Sequence, residues 1–243
     1  MPARSGLKRT KLPGADRPPP TSPDAPPHTT RMAKPLDLRI LLVQAGGTDW
    51  DREQRLMGSA NLPLRADEHD RLEGTLAALP ELVGTPMPSV ILSSKNESSI
   101  QTAALVASSL GGVKTREIEA LGDVDLGLWE GVCGEDLEGR CPSTYRQWLE
   151  DPGSVTAPKG EAMGAAEARI LDVVARAADK TKDEHPTIGV VLRGMAYALF
   201  RCWTESLPTG QMWNVLQDGP NEPRMLVIER ARFERAKQGA GAG

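Results

Sequence analysis

The sequence predicts an α/β fold, a three-layer α/β/α sandwich with a mostly parallel central sheet. Three observations predict it. Short apolar runs rich in Leu, Ile and Val recur along the chain, as strands buried on both faces require. Each run ends in a small or polar residue, and amphipathic helical stretches separate the runs. The 243 residues also suit one domain of about 200 residues with flanking tails.

Residues 1–35 hold clustered prolines ("RPPPTSPDAPPH"), several Lys and Arg, and almost no large apolar side chain. They read as a disordered basic tail, because such a composition buries too little surface to offset ordering entropy. A docking or transit peptide is the functional alternative for this stretch. The domain spans 36–230. "LDLRILLV" (36–43) is the first strand, ended by Gly46 and Gly47, and "DEHDRLEGTLAALPELV" (67–83) a helix with apolar residues three and four apart. "PSVILSS" (88–94) is the next strand, followed by the helix "ESSIQTAALVASSLG" (97–111) closing on glycine. "VKTREIEAL" (113–121) adds another strand, and "GEAMGAAEARILDVVARAADKTK" (160–182) is a long Ala-rich helix. "TIGVVLRG" (187–194) and "MAYALFRCWTES" (195–206) repeat the strand-helix pair, "RMLVIER" (224–230) is a last strand of the same kind, and 231–243 reads as a flexible C-terminal tail.

Functional loops of such sheets gather at the carboxyl ends of the strands. That rule selects Gln44 to Thr48, Ser93 to Ser99 and Leu192 to Met195, with the acidic loop Leu121 to Gly131 as a fourth corner. The net charge of −4, from 29 Lys and Arg against 33 Asp and Glu, argues against nucleic acid or an anionic membrane as partner. No apolar run of about 18 residues is present to span a membrane, and the N-terminal residues lack the apolar core of a secretory signal. Three cysteines, Cys133, Cys141 and Cys202, without C-x-x-C spacing suggest reduced thiols and a cytoplasmic protein.

Six ordered motifs give these corners a family likeness: "QAGGTDWD" (44–51), "RLMGSANLPL" (55–64), "SSKNESSIQTA" (93–103), "DVDLGLWEG" (123–131), "GEA" (160–162) and "LRGM" (192–195). In order and spacing the chain resembles the histidine phosphatase, or phosphoglycerate-mutase-like, superfamily. There, a histidine after the first strand attacks phosphorus, arginines and a second histidine hold the phosphoryl oxygens, and an acidic residue protonates the leaving group. Such chemistry needs a neutral imidazole nucleophile and several cations around the equatorial oxygens. Carried over position by position, the resemblance puts Ala45 in place of the nucleophile, Gln44 in place of its neighbouring arginine, Ser98 in place of the second arginine and Arg193 in place of the second histidine. Only the acid is kept in kind, as Asp123. Trp50, Arg55, Gly58, Pro63, Gln101, Thr102, Trp129, Glu130 and Gly131 match the family frame.

None of the three histidines can stand in for the nucleophile. His28 lies in the tail, His69 opens a polar helix, and His185 precedes its strand, about 20 Å from the carboxyl end at roughly 3.3 Å per residue. The resemblance therefore implies a pseudoenzyme, a binding or regulatory module contacting a protein partner or a small molecule, with a homodimer among the assemblies open to it and no metal or cofactor. Its candidate pocket residues are Gln44, Thr48, Arg55, Ser98, Asp123 and Arg193, with Arg193 and Asp123 expected to pair in the vacated centre. Asp49 and Asp51 form a D-x-D pair that suggests a metal-dependent phosphatase but stands too far past the strand tip, and Ser98 and Ser99 are expected to cap their helix. Two other readings are a hydrolase using Asp123 and Arg193 without histidine, and a purely structural domain that carries the tail.

Overall fold

The computed structural model describes residues 37–181, 185–218 and 222–240; the tail expected over 1–35 lies outside them. In chain order the elements are β1 (Asp37–Gln44), α1 (Asp49–Arg52), α2 (Ala66–Leu76), α3 (Leu79–Val83), β2 (Ile91–Ser93), α4 (Glu97–Ser109), β3 (Thr115–Glu117), α5 (Gly134–Arg140), α6 (Pro142–Glu150), α7 (Met163–Asp179), β4 (Thr187–Leu192), α8 (Gly194–Glu205), α9 (Met212–Gln217), β5 (Arg224–Glu229) and α10 (Arg230–Ala240). The five strands form one sheet in the order β3-β2-β4-β1-β5. β1 to β4 are mutually parallel where they pair, and β5 runs antiparallel to β1 along the sheet edge.

Alternation along the strands splits the core between two faces. Leu38, Ile40 and Leu42 of β1 join Ile188, Val190 and Leu192 of β4 in a cluster with α7, α8 and Phe233 of α10. Leu41 and Val43 of β1, with Ile91 and Val191, pack against Leu72 and Leu76 of α2, Leu79 of α3 and Val106 of α4. Side chains of successive strand residues point to opposite faces, so a strand apolar on both is covered by helices on both. All six residues of β4 are buried. Gly189 is the close-approach point of that strand, since a Cβ there would stand 2.3 Å from Ile91 Cδ1.

Three expectations are corrected. The helix expected over 67–83 is two: Pro80, in the first turn of α3, lacks an N–H and would clash with the carbonyl of Leu76, where α2 ends. The last strand shares the composition of the others but runs in the opposite direction, which apolar content does not encode. The C-terminal segment is not a free tail, because α10 runs to Ala240 and buries Phe233 at 2% exposure. Among the described residues no helix is long and apolar enough to cross a membrane.

If α10 is part of the domain, Phe233→Ala should cost about 3 to 5 kcal/mol, read as a lowered urea midpoint. A parent-like midpoint would make the segment a tail after all.

Candidate active-site cleft

β1 and β4 are adjacent and parallel, with Gln44 paired to Leu192, so their carboxyl ends deliver Ala45 and Arg193 to the same place. A cleft of about 240 Å³ opens there. Gln44, Ala45 and Gly47 line it from β1 and its loop, Arg193 and Gly194 from the start of α8, and Asp51, Arg52, Arg65 and Glu68 from α1, α2 and the residue before α2.

Arg193 occupies the N-cap position of α8 with 3% of its surface exposed. Its Nη2 donates to both carboxylate oxygens of Asp51 at 3.1 Å, and its Nη1 to the carbonyl of Gly46 at 3.2 Å. Asp51 is itself fixed by Thr48, whose backbone N–H and hydroxyl both donate to Oδ2 at 2.6 and 2.7 Å. Thr48 and Asp51 thus form a capping box on α1. The expected pairing of Arg193 with Asp123 gives way to this one, because Asp51 reaches the guanidinium in a two-oxygen geometry while Asp123 is already engaged.

Asp123 is 5% exposed and does not line the cleft. Its Oδ1 accepts the N–H of Val124 at 3.0 Å and, across 73 residues, that of Ala196 in the first turn of α8 at 2.7 Å. The carboxyl therefore caps α8, at the end of the helix where negative charge is favoured. Burial pushes it above the usual carboxylate range, against the pull of the nearby Arg193 and the two backbone donors. Arg169 clasps the loop that carries it, donating to the carbonyls of Ala120, Gly122 and Asp123 while paired with Glu161.

Every charged group lining the cleft has an internal partner. Arg52 pairs with Asp49 at 2.9 Å, Arg65 with Asp67, and Glu68 with Arg71 at 2.6 Å while accepting the N–H of Gly47 at 3.2 Å. Among the described residues the lining contains no histidine. His69 lies half exposed on α2, 3.9 Å from Asp70 and 4.0 Å from Glu73, and His185 is exposed ahead of β4.

The other candidates serve the frame. Thr48 is wholly buried, its hydroxyl also against Met57 sulfur at 3.3 Å. Arg55 stands apart from the cleft, donating to Glu53 at 2.7 Å and to the Gly131 carbonyl at 2.8 Å. Ser98 and Ser99 lie within the first turn of α4, wholly buried, and do not cap it: the N-cap is Asn96, and the distant loop between α1 and α2 takes up the helix donors, Asn61 Oδ1 from Glu97 N at 2.7 Å and the Leu62 carbonyl from Ser98 N at 3.1 Å. Thr102 links that helix to the cleft loop, donating to the Ser98 carbonyl and accepting from Gly46 N at 3.1 Å. Sequence reasoning missed Asp51 as the partner of Arg193, although Thr48-x-x-Asp51 carries the spacing of a capping box. It also missed Arg52, Arg65 and Glu68, which surface periodicity does not separate from ordinary solvent-facing charges.

A model of the histidine phosphatase superfamily, branch 1, matches residues 40–234. The chain belongs to that superfamily. A glucosyl-3-phosphoglycerate phosphatase of Mycobacterium tuberculosis is 29% identical over 138 residues, 57% of this chain and 56% of its own length. Phosphoserine phosphatase 1 of Hydrogenobacter thermophilus is 23% identical over 133 residues, 55% and 61% of the two chains. The chain spans from 39% to 61% of the length of the curated relatives it matches. In fold it is similar to Bacillus stearothermophilus YhfR, with a TM-score of 0.66 at 20% identity over 79% of this chain and 91% of that one. The native structure of the mycobacterial glucosyl-3-phosphoglycerate phosphatase gives 0.65 at 21% identity, over 79% and 90%. In this histidine phosphatase domain the cleft is lined by Ala45 and by an Arg193 paired with Asp51.

Two outcomes follow from the bonds described. Asp51→Asn should lose about 1 to 2 kcal/mol, since it leaves a buried guanidinium without its counter-charge and weakens the capping box, whereas Asp49→Asn, in an exposed pair, should change stability by less than about 0.5 kcal/mol; chemical denaturation distinguishes them, and equal effects would refute the assignment. For Asp123, the folded chain holds its proton to higher pH than the unfolded chain, so its contribution is full below the ordinary aspartate range and is lost as pH rises through the raised range. Asp123→Asn, always neutral, should flatten that part of a Tm-against-pH curve, and an unchanged slope would count against it.

Proposed function

We propose that this histidine phosphatase domain works as a binding or regulatory module without phosphohistidine turnover. The observation that carries the reading is the cleft itself: Ala45 stands at the end of β1, the lining has no imidazole among the described residues, and Arg193 is held by Asp51. An alanine side chain offers no electron pair to attack phosphorus, and a guanidinium engaged by a carboxylate offers less to an incoming dianion. Each charge-assisted hydrogen bond withdrawn from a phosphate is worth roughly 1.5 to 3 kcal/mol, so the affinity for a phosphoryl group should fall by several powers of ten. The relatives named as phosphatases of glucosyl-3-phosphoglycerate and phosphoserine supply the substrates to try first. What the module contacts instead is a protein or a non-phosphorylated small molecule.

The competing reading, a hydrolase built on Asp123 and Arg193, draws no support from the geometry. Asp123 is spent on Ala196 and Val124, and Arg193 on Asp51 and Gly46.

The full chain should hydrolyse an aryl phosphate, phosphoserine and a panel of phosphosugars no faster than a boiled control, and millimolar inorganic phosphate should leave its Tm unmoved. Turnover abolished by Asp123→Ala would overturn the proposal in favour of the hydrolase.

A further inference from the structure

A second cavity, of about 460 Å³, shares no lining residue with the cleft and falls within the roughly 300 to 1,000 Å³ typical of small-molecule sites. Three aromatic rings line it: Tyr145 and Trp148 of α6 and Trp213 of α9. Their mutual packing fixes them. Trp148 lies 6.0 Å from Tyr145 and 4.7 Å from Trp213, edge-on to the latter at 66°, and Trp129 braces it at 5.5 Å and 79°. Gly134, the first residue of α5, leaves room for Tyr145, since a Cβ there would stand 2.5 Å from the phenolic oxygen.

The charged lining is acidic. Glu53 and Glu135 both face the cavity. Glu53 is paired with Arg55 at 2.7 Å, and that guanidinium also donates to Gly131, but Glu135 enters no ion pair among the described residues. Negative aromatic faces beside an uncompensated carboxylate attract a cation. An ammonium ion carrying methyl groups suits them best, because it has few or no N–H donors to satisfy and sheds its hydration more easily than a primary amine. Anionic ligands would meet Glu53 and Glu135.

We propose that this cavity binds a free methylated ammonium ion of the choline class, its cationic head against the half-buried rings of Tyr145 and Trp213, which the buried Trp148 holds in place, with Glu135 as the counter-charge. The assignment is independent of the reading of the cleft, so phosphatase turnover, present or absent, leaves it standing.

The test is a tryptophan-fluorescence titration of the full chain at constant ionic strength with choline chloride, its uncharged isostere 3,3-dimethylbutan-1-ol, and phosphocholine. Choline should give a saturable change, the alcohol should bind about tenfold or more weakly, and phosphocholine should also bind more weakly because its phosphate opposes the acidic lining. Tyr145→Leu, which keeps the apolar bulk and removes the π face, should weaken choline about three- to thirtyfold, and Glu135→Gln, an exposed change that leaves the core alone, should weaken it severalfold. No saturable response to choline, equal affinity for the alcohol, or parent-like binding by Glu135→Gln would each overturn the proposal. Tighter binding of phosphocholine than of choline would point to a lipid headgroup and overturn the assignment to a free ion.

Discussion

A guanidinium with 3% of its surface exposed has to find its counter-charge inside the chain. For Arg193 that counter-charge is Asp51, 142 residues away in sequence. The carboxylate serves two helices at once: it closes the capping box of α1 through Thr48 and neutralises the residue that opens α8. Because Thr48 ends the short loop after β1 and Arg193 directly follows β4, the ion pair joins these two neighbouring strands beyond the point where their backbone ladder ends. Among the described residues, it fixes two of the five charged residues that line the cleft.

Around that pair, the remaining loops are fastened by backbone hydrogen bonds to side chains that sequence patterns had marked for other reasons. Thr102 holds the Gly46 N–H, Gln101 holds Leu64 N at 2.7 Å, Glu130 holds Ser59 N at 2.6 Å, and Arg55 holds the Gly131 carbonyl. These are residues that the resemblance assigns to the superfamily frame, and their partners are backbone groups of the chain itself, 37 to 76 residues away in sequence. A frame of this kind can persist whatever stands at positions 45 and 193.

Much of this was legible in the sequence. Short continuous apolar runs marked the strands, and the carboxyl-end rule brought residues 44 and 193 to one cleft. The misses have physical causes. Strand direction in β5 depends on where the preceding chain returns, not on its side chains. Pro80 divided a helix that apolar spacing alone would continue. Phe233 drew a charged, helical segment into the core that its composition assigned to solvent. Asp123 was singled out for its chemistry, yet the donor it satisfies, Ala196 N, becomes its neighbour only once the sheet forms. The aromatic cavity combines residues of α5, α6 and α9 with the loop after α1, a juxtaposition no local spacing announces.

The bond between Asp51 and Arg193 also constrains how the sequence can drift. Exchange of Asp51 alone strands the buried charge of Arg193, whereas exchange of Arg193 alone leaves a carboxylate that solvent still reaches, so the two substitutions are non-additive and unequal in cost. A histidine arriving at position 45 would meet a guanidinium already committed elsewhere, and would gain little until position 51 had changed as well. Substitutions at positions 45, 51 and 193 are thus coupled, and the pair ties the chemistry open to the cleft to two positions 142 residues apart in sequence.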